Sequence, residues 1–254
     1  MKHTEIRDEN MKYSLILPTY NEAESIVKTL DNLQKENISS LEIFVVDDNS
    51  PDGTFAIAAE YAEKHENIRV LLHEGERGLS PSVVYGFNKA DGDILICMDA
   101  DGQHRSCDLV KILAEFDDPS LDMAVGSRHV EGGGFTEKWN FFRSLFSRTA
   151  SLAAQTVLRT KVKDPMSGFF AVRKDSFRKV EKYLDPHGFK IMLEICFLLS
   201  LCEPHKIKES PIVFAMREAG KSKLSAKIIK QYLSMLFKCF LRRGKLKKAL
   251  QNHG

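Results

Sequence analysis

Short apolar runs recur along the first hundred positions, and each ends in a polar loop. The first begins at Tyr13 and closes in Pro18-Thr19-Tyr20-Asn21-Glu22; the second, residues 42–46, closes in Asp47-Asp48-Asn49-Ser50-Pro51-Asp52-Gly53-Thr54. The third, residues 68–72, leads to a loop over 74–79, and the fourth, residues 94–98, runs straight into Asp99, Ala100 and Asp101. Such runs bounded by turn formers predict strands buried on both faces, as in a parallel sheet. Between them the apolar positions switch to helical spacing: Ile26, Leu30 and Leu33, then Phe55, Ala58, Ala59 and Ala62, then a helix over 83–89. Strands alternating with helices of this length predict a doubly wound α/β sheet.

The second half continues the alternation less regularly. A helix is expected over 109–116, a strand over 123–126, a glycine loop at 132–134 and a helix over 139–158. A strand over 169–173, a buried helix over 188–201 and a β segment over 206–216 follow. Residues 1–10 carry no strand or helix signal. After Glu218 there is no further Asp or Glu, whereas Lys221, Lys223, Lys227, Lys230, Lys238, Arg242, Arg243, Lys245, Lys247 and Lys248 accumulate. Ile228, Ile229, Tyr232, Leu233, Leu236, Phe237, Phe240 and Leu241 keep helical spacing there, which predicts a basic amphipathic helix. That helix either packs on the domain with its charges in water, or lies on an anionic membrane surface or a membrane partner. The expected division is a catalytic domain over 11–222 and this helical segment over 223–254.

Composition narrows the field. A net charge of +2 gives no support to a nucleic-acid partner. The five cysteines form no C-x-x-C pair and read as reduced core thiols of a cytosolic protein. The N-terminal residues lack the apolar core of a secretory signal, and no run of roughly 18 apolar residues predicts a transmembrane helix.

Chemistry collects at the strand ends. In an open α/β sheet ligands bind at the carboxyl ends of the strands, and Asp99, Asp101 and the Gln103 amide offer hard oxygen ligands there, suited to Mg²⁺ or Mn²⁺ holding a diphosphate. The plainer reading of the same residues is a polar turn. The sequence has neither G-x-G-x-x-G nor a phosphate loop with its lysine, which argues against dinucleotide and P-loop enzymes. Arg143 and Ser147 fall one turn apart on one helix face. Asp47, Asp52 and Asp164 are candidates for helix caps or turns, Asp52 most of all. His104 and His129 receive no catalytic role. Glu194, in an apolar helix, needs a partner and either acts through Lys190 or satisfies a backbone group.

Taken together, LPTYNE at 17–22, VVDDNSPDGT at 45–54, MDADGQH at 98–104, GSR at 126–128, DPMSGFFAVR at 164–173, GFKIMLE at 188–194 and REAGKSKLS at 217–225 resemble the family-2 inverting glycosyltransferases of GT-A fold. Within these they are most similar to the dolichol-phosphate (polyprenyl-phosphate) mannose synthases. The resemblance implies a nucleotide-diphospho-sugar transferase fold: a Rossmann-like mixed, mainly parallel sheet flanked by helices, ending in the basic amphipathic helix. It places Pro18, Tyr20 and Glu22 in the nucleotide pocket, with Val46 and Asp48 beside the base. Asp99, Ala100, Asp101 and Gln103 would hold metal and donor, the metal through Asp99, Asp101 and Gln103. Arg128, Arg217 and Lys223 would surround the donor and acceptor phosphates, and Arg143 and Ser147 would receive the lipid phosphate.

The activity so implied is metal-dependent transfer of a hexose, mannose from GDP-mannose above all, to a polyprenyl phosphate with inversion. Glucose transfer from a UDP-sugar to undecaprenyl phosphate and a non-catalytic nucleotide-sugar-binding protein on the same fold stand as alternatives. The expected location is the cytosolic face of a membrane, reached through the C-terminal helix or a separate membrane subunit.

Overall fold

β1 (Tyr13–Thr19) forms the axis of the sheet because its side chains are buried on both faces: Leu15 and Leu17 belong to one core cluster and Ile16 to the other. The chain then alternates through α1 (Ile26–Lys35), β2 (Leu41–Asp47), α2 (Thr54–Ala62), β3 (Ile68–Leu72), α3 (Leu79–Lys89) and β4 (Ile94–Cys97). β1 pairs in parallel with β2 on one side and β4 on the other, and β3 pairs in parallel with β2. The computed structural model describes residues 11–136, 152–187, 190–215 and 226–251, with side chains of the last stretch described from Tyr232 onward.

Beyond β4 come α4 (Ser106–Ala114), β5 (Met123–Ser127), β6 (Gly134–Phe135), a helical segment α5 over 152–158, β7 (Phe170–Arg173) and α6 (Lys174–Glu181). α7 (Ile191–Leu199), β8 (Ile207–Pro211), β9 (Val213–Phe214) and α8 (Ala226–Gln251) complete the order. The main sheet runs β3-β2-β1-β4-β7-β5-β8. β7 is antiparallel to both its neighbours, so the sheet is mixed and mainly parallel, as expected.

Three details depart from the sequence reading. The segment over 206–216 is two strands in two sheets: Pro211 has no N–H to continue a ladder, Ile212 turns inward, and β9 then pairs with β6. α6 was not expected, because only Ser176, Phe177 and Val180 are buried along it and that stripe is too short to stand out. The five cysteines are free, and Cys107 is exposed rather than in the core.

α8 has two apolar faces. Tyr232, Leu236, Cys239, Leu246 and Leu250 are buried in the core cluster that includes α7, and the Arg243 guanidinium donates to the Leu158 carbonyl at 3.0 Å. On another face Leu233, Phe237, Phe240 and Leu241 remain 55–64% exposed. The Lys238 ammonium binds the Asp185 carboxylate at 2.6 Å. Among the described residues no helix is long and apolar enough to cross a membrane.

Candidate active site at the carboxyl ends of the strands

Parallel pairing sets the predicted donor residues side by side. Pro18 is in register with Val46, and β4 flanks β1 on the opposite side, so the loops holding Tyr20, Asp48 and Asp99 leave neighbouring strand ends. Glu22 anchors its loop by accepting the backbone N–H of Ser25 and Ile26 on its carbonyl, and its own N–H donates to Thr54 Oγ1 at 3.0 Å. The Arg77 guanidinium lies over the Tyr20 ring, 5.2 Å from its centre, a contact the sequence did not suggest. Val46 and Ala100 are buried in the core, so their side chains offer no surface to a ligand. The Ala100 carbonyl accepts from Thr29 Oγ1 at 3.1 Å, which ties the acidic loop to α1.

Three of the acidic residues are anchored by the protein itself. Asp47 accepts Ser50 N–H and Oγ at 2.8 and 2.6 Å, and Asp52 accepts Thr54 N–H and Oγ1 at 3.0 and 2.6 Å, so both close turns as the sequence allows. Asp48 is a hub of a kind not foreseen. Its carboxylate accepts the Gly78 N–H at 2.8 Å and the Ser82 hydroxyl at 2.7 Å, and lies 2.6 Å from His73 Nδ1. These bonds join the ends of β2 and β3 to the start of α3. The signal available in the sequence was a histidine one residue beyond the third strand.

The acidic pair after β4 differs. Asp101 is nearly buried and its Oδ1 accepts the Gln103 N–H at 3.1 Å, whereas the Asp99 side chain is 33% exposed. Asp99 packs over Gly168, where a Cβ would stand 2.5 Å from Asp99 Oδ2. Gln103 donates from Nε2 to the Ala215 carbonyl at 3.1 Å, which leaves its amide oxygen as the ligand atom on offer. The donor set is therefore all oxygen and fits Mg²⁺ or Mn²⁺. Among the described residues no group of three or more His, Cys, Asp or Glu side chains could hold a metal alone, so remaining positions would have to come from a ligand or water. His104 Nε2 lies 3.5 Å from Asp99 Oδ2.

Arg128, at the end of β5, is gripped by Asp164: Nε donates to Oδ2 at 2.7 Å, Nη2 to Oδ1 at 2.8 Å, and its backbone N–H to Oδ2 at 3.0 Å. Asp164 is thus a buried ion-pair partner rather than a turn cap. Burial would raise its carboxyl, but the bonds from Arg128 outweigh burial and hold it below the usual carboxylate range. Lys190, just before α7, is lowered to about 8 by burial, against the opposing pull of Asp99 and Asp164 and with the added repulsion of Arg128. It lines a cavity with Ser167 and Gly168, on which Asp99 sits, whereas the Glu194 carboxylate accepts the Asp185 N–H at 2.9 Å. Burial raises the Glu194 carboxyl. Arg143, Ser147, Arg217 and Lys223 lie outside the described residues.

The chain is 40% identical over 247 residues to the dolichol-phosphate mannosyltransferase of Pyrococcus furiosus, covering 95% of this chain and 67% of that one. It is 35% identical over 234 residues to the dolichol-phosphate mannosyltransferase of Saccharomyces cerevisiae, covering 89% and 86%. The fold is similar to a mannosyltransferase from Pyrobaculum calidifontis in complex with GDP-Man and Mn²⁺, with a TM-score of 0.63 at 20% identity, over 92% of this chain and 66% of that one. Residues 14–181 match the model of glycosyl transferase family 2, which is well over half the chain, and the chain belongs to that family.

Proposed function

We propose that this protein transfers mannose from GDP-mannose to a polyprenyl phosphate, with inversion at the anomeric carbon. The observation that carries the proposal is the convergence of Tyr20, Asp48 and the partly exposed Asp99 on adjacent strand ends, with Asp99 seated against Gly168. The mannosyltransferase relatives and the GDP-Man and Mn²⁺ in the Pyrobaculum structure support the choice of donor and metal.

Asp99, Asp101 and Gln103 would hold the divalent cation, which when bound supplies Lewis-acid neutralisation of the leaving diphosphate. Tyr20, with Arg77 over its ring, would line the nucleotide pocket, and Asp48 would lie beside the base. An acceptor phosphate monoester is anionic at neutral pH, so its oxygen attacks the anomeric carbon as the bond to the diphosphate breaks, and no proton need be removed. What the acceptor needs is cations, and Arg143, Arg217 and Lys223, with Ser147, are proposed for that task. Arg128 is committed to Asp164 through Nε and one terminal amine, so its part in phosphate binding falls to the rest of the guanidinium.

The protein would act at the cytosolic face of a membrane. The exposed stripe Leu233, Phe237, Phe240 and Leu241, beside Lys238, Arg242 and Lys245, matches the chemistry of an anionic bilayer surface. The test is a donor panel with a short polyprenyl phosphate and Mg²⁺ or Mn²⁺. GDP-mannose should support turnover, and Asp101→Ala should abolish it. Turnover with UDP-glucose alone would move the reading to the glucosyl branch, and donor binding without turnover on any lipid phosphate would end the enzyme reading.

A further inference from the structure

The fold places one polar side chain where stability alone would favour an apolar one. The His104 side chain is 2% exposed and sits between Phe169 and Phe214, each 5.0 Å from it between ring centres and in edge contact. Among the described residues neither ring nitrogen has a hydrogen-bond partner. Buried polar atoms left in that condition are uncommon and call for a cause. Asp99 Oδ2 lies 3.5 Å from Nε2, beyond the usual 2.7–3.2 Å of a hydrogen bond. The same oxygen packs against Gly168, where a Cβ would stand 2.5 Å away. Phe169, adjacent to Gly168 in sequence, is one of the two rings that clamp His104. The same short segment therefore fixes both the imidazole plane and the seat of the carboxylate.

We propose that His104 is a positioning residue for Asp99: in the tautomer protonated at Nε2, it donates to Oδ2 when the carboxylate takes up its metal-binding orientation. A shift of roughly half an ångström closes the gap to hydrogen-bond length. Carboxylates that ligate metals are themselves hydrogen-bonded, and removing such a partner lowers metal affinity by about 10- to 100-fold. The bond costs nothing to prepare, because the aromatic edges already hold the ring and no internal partner competes for it. This inference rests on the metal-site reading of Asp99 and Asp101 and adds to it the residue that orients the ligand.

The experiment measures Mn²⁺ binding in the presence of GDP, by the paramagnetic resonance signal of free Mn²⁺, together with the thermal midpoint of the metal-free protein. His104→Phe should weaken Mn²⁺ binding at least tenfold without lowering the metal-free midpoint, since it exchanges an unsatisfied ring for an apolar one. His104→Gln, whose amide nitrogen reaches near the Nε2 position, should stay within about threefold of wild type. Unchanged Mn²⁺ affinity in His104→Phe overturns the proposal. So does a loss of affinity matched by a fall in the metal-free midpoint, which would mark the ring as structural. Wild-type protein that binds no Mn²⁺ with GDP overturns the metal site itself.

Discussion

Asp164→Ala removes the acceptor of three hydrogen bonds from Arg128 and leaves a guanidinium whose side chain is 7% exposed without its countercharge. Breaking one side of a buried ion pair costs about 3–5 kcal/mol, most of it the price of the stranded charge. For a chain of this size about 2–4 °C of melting temperature is lost per kcal/mol, so the midpoint should fall by roughly 6–20 °C. The loop itself keeps an independent anchor, since the backbone N–H groups of Lys163 and Asp164 donate to the Glu209 carboxylate at 2.9 and 3.0 Å. The loss therefore reports the pair and not the loop. Calorimetry of Asp164→Ala, Arg128→Met and the double variant forms the cycle. The double variant should be less destabilised than the sum of the singles by several kcal/mol, because the stranded charge has gone. The sign with pH follows from the lowered Asp164 carboxyl. Its stabilising contribution is complete above the ordinary value of 3.8 and disappears as pH falls through the lower folded value, so the gap between wild type and Asp164→Ala should stay constant from neutrality to about pH 4 and close below it. A loss under about 1 kcal/mol for Asp164→Ala, or strict additivity in the cycle, would refute the reasoning.

Gly168→Ala places a Cβ 2.5 Å from Asp99 Oδ2, so the carboxylate must rotate off its seat; Mn²⁺ affinity should fall about tenfold or more with little change in melting temperature, and unchanged affinity in a titration would show the seat to be irrelevant. On α8, Phe237→Ser with Phe240→Ser alters side chains that are 63% and 60% exposed. It should change stability by no more than about 0.5 kcal/mol and lower binding to vesicles containing phosphatidylserine by about tenfold or more. Cosedimentation equal to wild type would remove the bilayer from the proposal and favour a protein partner.

The sheet was readable because buried parallel strands announce themselves as continuous apolar runs, and Asp47, Asp48 and Asp99 stand where those runs stop. The residues that complete the site were not readable, because their meaning lies in a partner far along the chain. Asp164 looks like a turn former until β5 and the loop before β7 bring it to Arg128, 36 residues away. Ser82 and His73 look unrelated until β2, β3 and α3 converge on Asp48. Lys190 sits beside a glutamate in helical spacing, yet the start of α7 sets it in a cavity with Ser167 and Gly168 while Glu194 serves the loop at Asp185. Spacing along one element predicts which face a residue shares, but it carries no information about which strand end that face will meet.

The acids at the strand ends separate by what the fold supplies to them. Asp47, Asp48, Asp52 and Asp164 receive hydroxyl, backbone or guanidinium donors at 2.6–3.0 Å, and such carboxylates are spent on holding loops. Asp99 receives a glycine that yields space and an imidazole that stops half an ångström short, and it keeps a third of its side chain exposed. Asp99, a third exposed above a glycine, is therefore the side chain of the set with room to turn toward a ligand. The D-x-D spacing supplies the oxygens, but Gly168 and His104 are what distinguish Asp99 from the other acids on the same edge.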